Sequence, residues 1–145
     1  MKKALVTISL MLALILTFTS SAYATTEESY LYYDGDLIGN SEAWSEIQLI
    51  TGNTVMAKAW TRLLELNVGA HIGKSTTTIN ASKNGIFAGS TTSHSSTNGG
   101  TAVALLNLGT YASSISYSSQ STHYFLNDGG VKTGYNTIDE NGITT

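Results

Sequence analysis

The hydrophobic positions of this chain fall into two regimes. From Ala4 to about Phe18 they run without a charge, preceded by Lys2 and Lys3; after Ala24 they come in short runs cut by glycine and asparagine. A basic start, a run of about fifteen apolar residues and the small-residue ending Ala22-Tyr23-Ala24 together read as a helical secretory signal peptide. Ala22 and Ala24 are the small side chains that a signal peptidase accepts beside its cut. A helix crossing a bilayer takes about 20 apolar residues, more than this run supplies. Cleavage after Ala24 is therefore expected, with residues 1–24 removed and the working chain starting at Thr25.

The remaining pattern is that of strands. Residues 25–41 form an acidic, tyrosine-rich leader (Glu27, Glu28, Tyr30, Tyr32, Tyr33, Asp34, Asp36) that Gly35 and Gly39 interrupt, leaving room for one edge strand. Ala43 to Ile50 alternates, blurred by Trp44 on the polar parity, and Thr51-Gly52-Asn53-Thr54 reads as a turn. Thr54 to Leu66 fits a helix or a strand by periodicity. Strand is preferred, because neighbouring segments read as β and local preferences tend to agree with the global fold. Asn84-Gly85 is a two-residue hairpin signal, both residues tolerating positive φ, and Asn98-Gly99-Gly100 is a second of the same kind. Thr101 to Leu108 is the most apolar stretch after Ala24, as expected of a central strand covered on both faces. Tyr111 to Ser119 gives the cleanest alternation, aromatic and apolar on one parity, small and polar on the other. Thr122 to Leu126 reads as the last strand, and residues 128–145 as a mobile C-terminal tail. The expected architecture is all-β: a small antiparallel β-sandwich of roughly six to eight strands over residues 42–127.

Composition narrows the setting. The sequence has no cysteine and no proline. No disulfide, lipidated cysteine or proline-containing wall-sorting motif is available, and exposed sheet edges must be blunted by charge, glycine or bulges. Together with the leader, this points to bacterial export into the medium. Loss of residues 1–24 removes Lys2 and Lys3 and no acid, leaving five cations against 10 acids, a net charge of −5. The cations Lys58, Arg62, Lys74, Lys83 and Lys132 are scattered. Nucleic acid is excluded as an expected partner, because phosphate binding needs clustered Lys and Arg. Charge-driven contact with anionic membranes is disfavoured for the same reason.

Candidate chemistry is sparse. Gly69-Ala70-His71-Ile72-Gly73-Lys74-Ser75 resembles a phosphate loop but is one residue short, with Val68 where the first glycine belongs and threonines where a helix should start. His71, His94 and His123 would bind zinc only if folding gathered them, since no pair has ligand spacing. Asp34-Gly35-Asp36 and Asp139-Glu140-Asn141-Gly142 offer oxygens suited to calcium, but in no EF-hand pattern; turn chemistry explains them as well. There is no G-x-S-x-G and no cysteine nucleophile. Glu46 and Glu65 flank apolar runs as a conceivable acid pair, against the plainer reading of two solvated strand residues. Catalytic, metal and cofactor sites are thus not expected. Trp44, Tyr111 and Tyr117 are the candidate binding aromatics, with Trp60 expected in the core and Tyr30 to Tyr33 as a further cluster. The expected function is non-catalytic binding, outside the cell, of a surface polymer, matrix or protein. The alternative is a membrane-active or antimicrobial protein inserting Lys74 to Leu108 as amphipathic hairpins into a target membrane.

Overall fold

The computed structural model describes residues 24–143. The leader peptide expected over residues 1–24, including Ala22, lies outside them except for Ala24. Among the described residues the chain is all-β: β1 (Thr25–Tyr33), β2 (Asp36–Ile50), β3 (Thr54–Leu66), β4 (Ile72–Lys83), β5 (Ile86–His94), β6 (Ala102–Thr110), β7 (Tyr117–Asn127) and β8 (Lys132–Asn141). They form two four-stranded antiparallel sheets in a sandwich-like arrangement, one ordered β1-β2-β3-β6 and the other β5-β4-β7-β8.

Turn chemistry sets the hairpins. Asp34-Gly35 joins β1 to β2 and Asn84-Gly85 joins β4 to β5, all four residues at positive φ (49°, 88°, 50° and 75°). Two successive left-handed residues twist the connection in the sense that the flanking strands twist, which favours Asn or Asp followed by Gly. Asp34 therefore serves as a turn residue. Thr54 to Leu66 is strand β3, paired along β2 with Trp44 opposite Trp60 and Ile47 opposite Ala57.

Several expectations change. Residues 25–41 hold the expected edge strand, β1, but also the start of β2, so they belong to the sandwich and are not a separate leader: Leu31 is fully buried and anchors them. Residues 132–141, expected as mobile tail, form β8 and pair along β7. Ile138 is buried and Thr133 and Glu140 nearly so. β6 is an edge strand, not a central one, with Val103 and Leu105 44% and 52% exposed. Asn98-Gly99-Gly100 turns the chain from one sheet to the other instead of closing a hairpin. The alternating run from Tyr111 becomes strand only at Tyr117; residues 111–116 are a connection in which Ile115 N donates to Ala112 O at 3.0 Å. Gly109, at φ 83°, lies at the register shift in the last residues of β6, one residue before its end at Thr110.

The interior is divided. At one end Ile47, Val55, Ala57, Ile79, Leu108 and Tyr117 belong to an apolar cluster, and at the other Leu31, Ile38, Ile72 and Phe125 form a second. Between them lies a belt of small polar side chains, including Ser41, Ser45, Thr61, Thr77, Ser121 and His123, each at most 2% exposed. Such groups are tolerated where they bond to one another. Thr61 Oγ1 lies 2.6 Å from Thr77 Oγ1 and 2.8 Å from His123 Nδ1, and His123 Nε2 lies 2.8 Å from Ser121 Oγ. This chain crosses from β3 in one sheet to β4 and β7 in the other, joining the layers with hydrogen bonds as well as apolar contact.

The sandwich is also closed along its side. Tyr32 N donates to Thr133 Oγ1 at 2.7 Å, Asn127 Nδ2 donates to Tyr32 O at 3.1 Å, and Thr25 N donates to Glu140 Oε1 at 3.1 Å. These bonds stitch the β1 edge to the β7–β8 hairpin. An edge whose backbone groups are already engaged is a poor template for another chain.

Candidate functional site

The three sequence-selected aromatics are not brought together. Trp44 stands on the outer face of the first sheet, stacked on Trp60 with ring centroids 5.9 Å apart and planes 12° from parallel. Trp60 is thus half-buried on the surface and not in the core. Lys58 Nζ sits 5.4 Å from the Trp44 ring and the Arg62 guanidinium 4.8 Å from Trp60. Arg62 is in turn paired with Glu42. Cations and rings in this row satisfy each other, which leaves the indole faces engaged and makes the row a surface brace.

Tyr111 and Tyr117 stack at 6.3 Å at one end of the sandwich. They line a cleft of about 720 Å³ with Leu49, Ile115, Asn141 and Ile143. Tyr117 is 3% exposed, and its hydroxyl accepts from Ala112 N at 3.2 Å and donates to Thr110 O at 3.4 Å. Ser116 is likewise committed to the Asn84 side chain. The polar groups of this cleft are spent on holding the connection before β7.

A different arrangement arises where β1 meets β8. Because Thr133 bonds Tyr32, the outward residues of the two strands lie side by side across the seam. A groove of about 410 Å³ runs there, lined by Tyr30, Tyr32, Asp34, Lys132 and Tyr135 among others. Tyr30, Tyr32 and Tyr135 are 64%, 48% and 54% exposed. Tyr135 is backed by Tyr124 at 6.4 Å, and Lys132 Nζ stands 4.4 Å from the Tyr124 ring. Exposed phenols fixed on strands, with a carboxylate and an ammonium at the rim, provide apolar faces and hydrogen-bonding groups at little cost in ordering. The sequence showed the Tyr30 to Tyr33 cluster. It gave no sign of Tyr135 and Lys132, which lie about 100 residues away in the chain and on a segment expected to be tail.

The remaining candidates separate. His123 lies in the interior belt with both ring nitrogens engaged, and burial pushes its pKa from 6.5 down to about 4. His94 Nδ1 lies 2.9 Å from Thr76 Oγ1, and His71 is exposed in the connection before β4. Among the described residues no group of His, Asp or Glu is placed to hold a metal ion. The Gly69 to Ser75 string runs from that connection into strand β4, with no helix after it. Asp139 and Glu140 point to opposite sides of β8, Asp139 accepting from Gln120 and Glu140 from Thr25. Glu46 pairs with Lys58 and Glu65 with Asn40, six residues apart along β2, a separation of about 20 Å at the usual strand rise. They do not form an acid pair. Burial raises the Glu46 carboxyl above its ordinary value, Lys58 opposing and Glu140 adding to the shift. In comparisons with family models, curated proteins and solved structures the chain matches none, so the groove between β1 and β8 is read from its own residues alone.

Proposed function

We propose that the chain is exported by bacteria, released from residues 1–24, and acts outside the cell as a non-catalytic binding protein. Its ligand is a glycan of a surface or matrix polymer, taken along the β1–β8 groove. The observation that carries this reading is the set of three exposed tyrosine rings on two strands whose relative position the seam bonds fix. Sugar C–H faces stack on such rings, and hydroxyls find Asp34, Lys132 and the phenols. Preorganisation keeps the ordering cost of binding low. The test is affinity electrophoresis of residues 25–145 through gels containing soluble bacterial and plant polysaccharides. At least one should retard the chain, and a Y30A/Y135A variant should migrate freely in it while W44A remains retarded. Equal migration in every gel, or equal retardation of all three proteins, would refute the groove as the site.

A membrane-active reading keeps one specific support. Ile86 and Phe87, just after the Asn84-Gly85 turn, are 73% and 66% exposed beside Lys83, an apolar tip suited to inserting into lipid. Dye release from neutral and anionic liposomes, lost in an I86S/F87S variant, would move the assignment to that hairpin. As a pore-forming strand β4 is less suitable, since it already pairs with β5 on one side and β7 on the other.

A further inference from the structure

The residue that opens β1 is the residue that cleavage after Ala24 would leave at the N-terminus. Thr25 N donates to Glu140 Oε1 at 3.1 Å, and Glu140 is 4% exposed on the inward side of β8. In the uncleaved chain this nitrogen belongs to the Ala24–Thr25 peptide bond and is a neutral donor. Hydrolysis adds water across that bond: Ala24 departs as a carboxylate, and the Thr25 nitrogen takes up a proton to become an ammonium. A positive charge then appears on the very atom already bonded to a buried carboxylate.

The charged groups facing this point make the change favourable. Glu46 on β2 follows Ser45, the partner of Thr25 across the β1–β2 ladder, and it senses Glu140 electrostatically. Lys58 on β3, opposite Glu46 in the ladder, is a cation that acts on Glu46 among the described residues. Glu140 is thus the carboxylate bonded at the start of β1, Glu46 lies close enough to repel it, and a cation at Thr25 offsets that repulsion. We propose that removal of residues 1–24 installs an ion pair between the Thr25 ammonium and Glu140 that locks β1 onto β8, so that the exported chain is more stable than its precursor. The inference rests on the export reading above. It gives the cut a physical consequence: the precursor holds the seam with a neutral hydrogen bond, and the processed chain with a charge-assisted one of about twice the strength.

Two forms of residues 25–145 separate charge from geometry, one with a free Thr25 amine and one N-acetylated, which keeps an N–H and loses the charge. Each is prepared with Glu140 and as E140Q, and unfolded in urea at pH 6.5. Acetylation should lower the folding equilibrium constant about tenfold in the Glu140 protein and leave E140Q within about twofold. The Thr25 amine, followed by nitrogen NMR, should titrate above the ordinary value of about 8 and return to it in E140Q. Equal stability of the free and acetylated forms, or the same loss in E140Q, would overturn the ion pair. Intact mass of the exported product tests the premise separately: a start other than Thr25 removes the cut from the proposal whatever the urea curves show.

Discussion

His123 makes the stability of the fold depend on pH in a calculable way. Its ring is fully buried, and among the described residues its hydrogen-bond partners are the neutral hydroxyls of Thr61 and Ser121. With the ring neutral, one direction of bonding runs unbroken through the short contacts of the network, in preference to the longer 3.4 Å bonds from Thr61 and Thr77 to backbone carbonyls. The Thr77 hydroxyl donates to Thr61, Thr61 donates to Nδ1, Nε2–H donates to Ser121, and Ser121 donates to Ile138 O. Protonating Nδ1 would reverse the Thr61 bond and place a charge without a counter-ion among apolar clusters. Burial accordingly lowers the pKa from 6.5 to about 4. Above pH 6.5 the ring is neutral whether the chain is folded or not, and it contributes no pH dependence. Between 6.5 and about 4 the unfolded chain binds a proton that the folded chain refuses, so stability falls with pH and about 3 kcal/mol is lost across the window. That is a large share of the 5–15 kcal/mol typical of a domain. Glu46 works in the other direction: its raised carboxyl pKa favours folding as pH falls through the carboxylate range and offsets a part of the loss. The assay is urea unfolding of residues 25–145 and of H123Q at half-unit steps from pH 7.5 to 4. The parent should lose stability steadily below pH 6.5. H123Q, which keeps polar atoms and cannot titrate, should start lower and show a flatter profile. An unchanged slope in H123Q, or a His123 proton resonance titrating near 6.5 in the folded protein, would refute the reasoning.

Two further substitutions probe the packing. A Cβ at Gly39 would overlap the carbonyl oxygen of Glu65 and approach Leu66 Cα to 3.1 Å, so G39A should push β3 from β2 and cost about 3 kcal/mol, whereas G89A, whose Cβ would meet only Leu106 at 3.5 Å, should stay within about 1 kcal/mol; thermal melts of both decide it. Ser45 is fully buried with a hydroxyl that bonds to no group among the described residues, so S45A should raise stability by about 1 kcal/mol in urea unfolding, and a comparable loss would show that the hydroxyl is satisfied in solution.

The Asn84-Gly85 turn was legible in the sequence because its chemistry is local, and strand over Thr54 to Leu66 was legible only through its neighbours, since its own periodicity fits a helix as well. β8 was not. Its inward positions include Gly134, Asn136 and Glu140 beside Ile138, since they face the polar belt and the seam rather than an apolar cluster. A reading that looks for apolar alternation finds no strand there. The Tyr111 to Ser119 alternation misled in extent and not in parity: Tyr117 and Ser119 face the interior on the parity read as apolar, but residues 111–116 are a connection and strand begins only at Tyr117. Val103 and Leu105 produced the opposite error, apolar side chains left exposed on an edge. The groove failed to appear for a different reason. Half of it comes from β1 and half from β8, and only the seam brings them side by side.

The division of the interior has a mechanical consequence. β2, β4 and β7 each run the full length of the molecule and place residues in both apolar clusters: Ile38 and Ile47, Ile72 and Ile79, Phe125 and Tyr117. These strands act as spars between two small bodies that adhere strongly, across a waist that adheres through directional bonds. A tug on one end is therefore carried to the other along backbone, not through a deformable oily middle. Opening either end bends a spar and misaligns the waist, so the two halves should come apart together, and their amide hydrogens should exchange with one common protection.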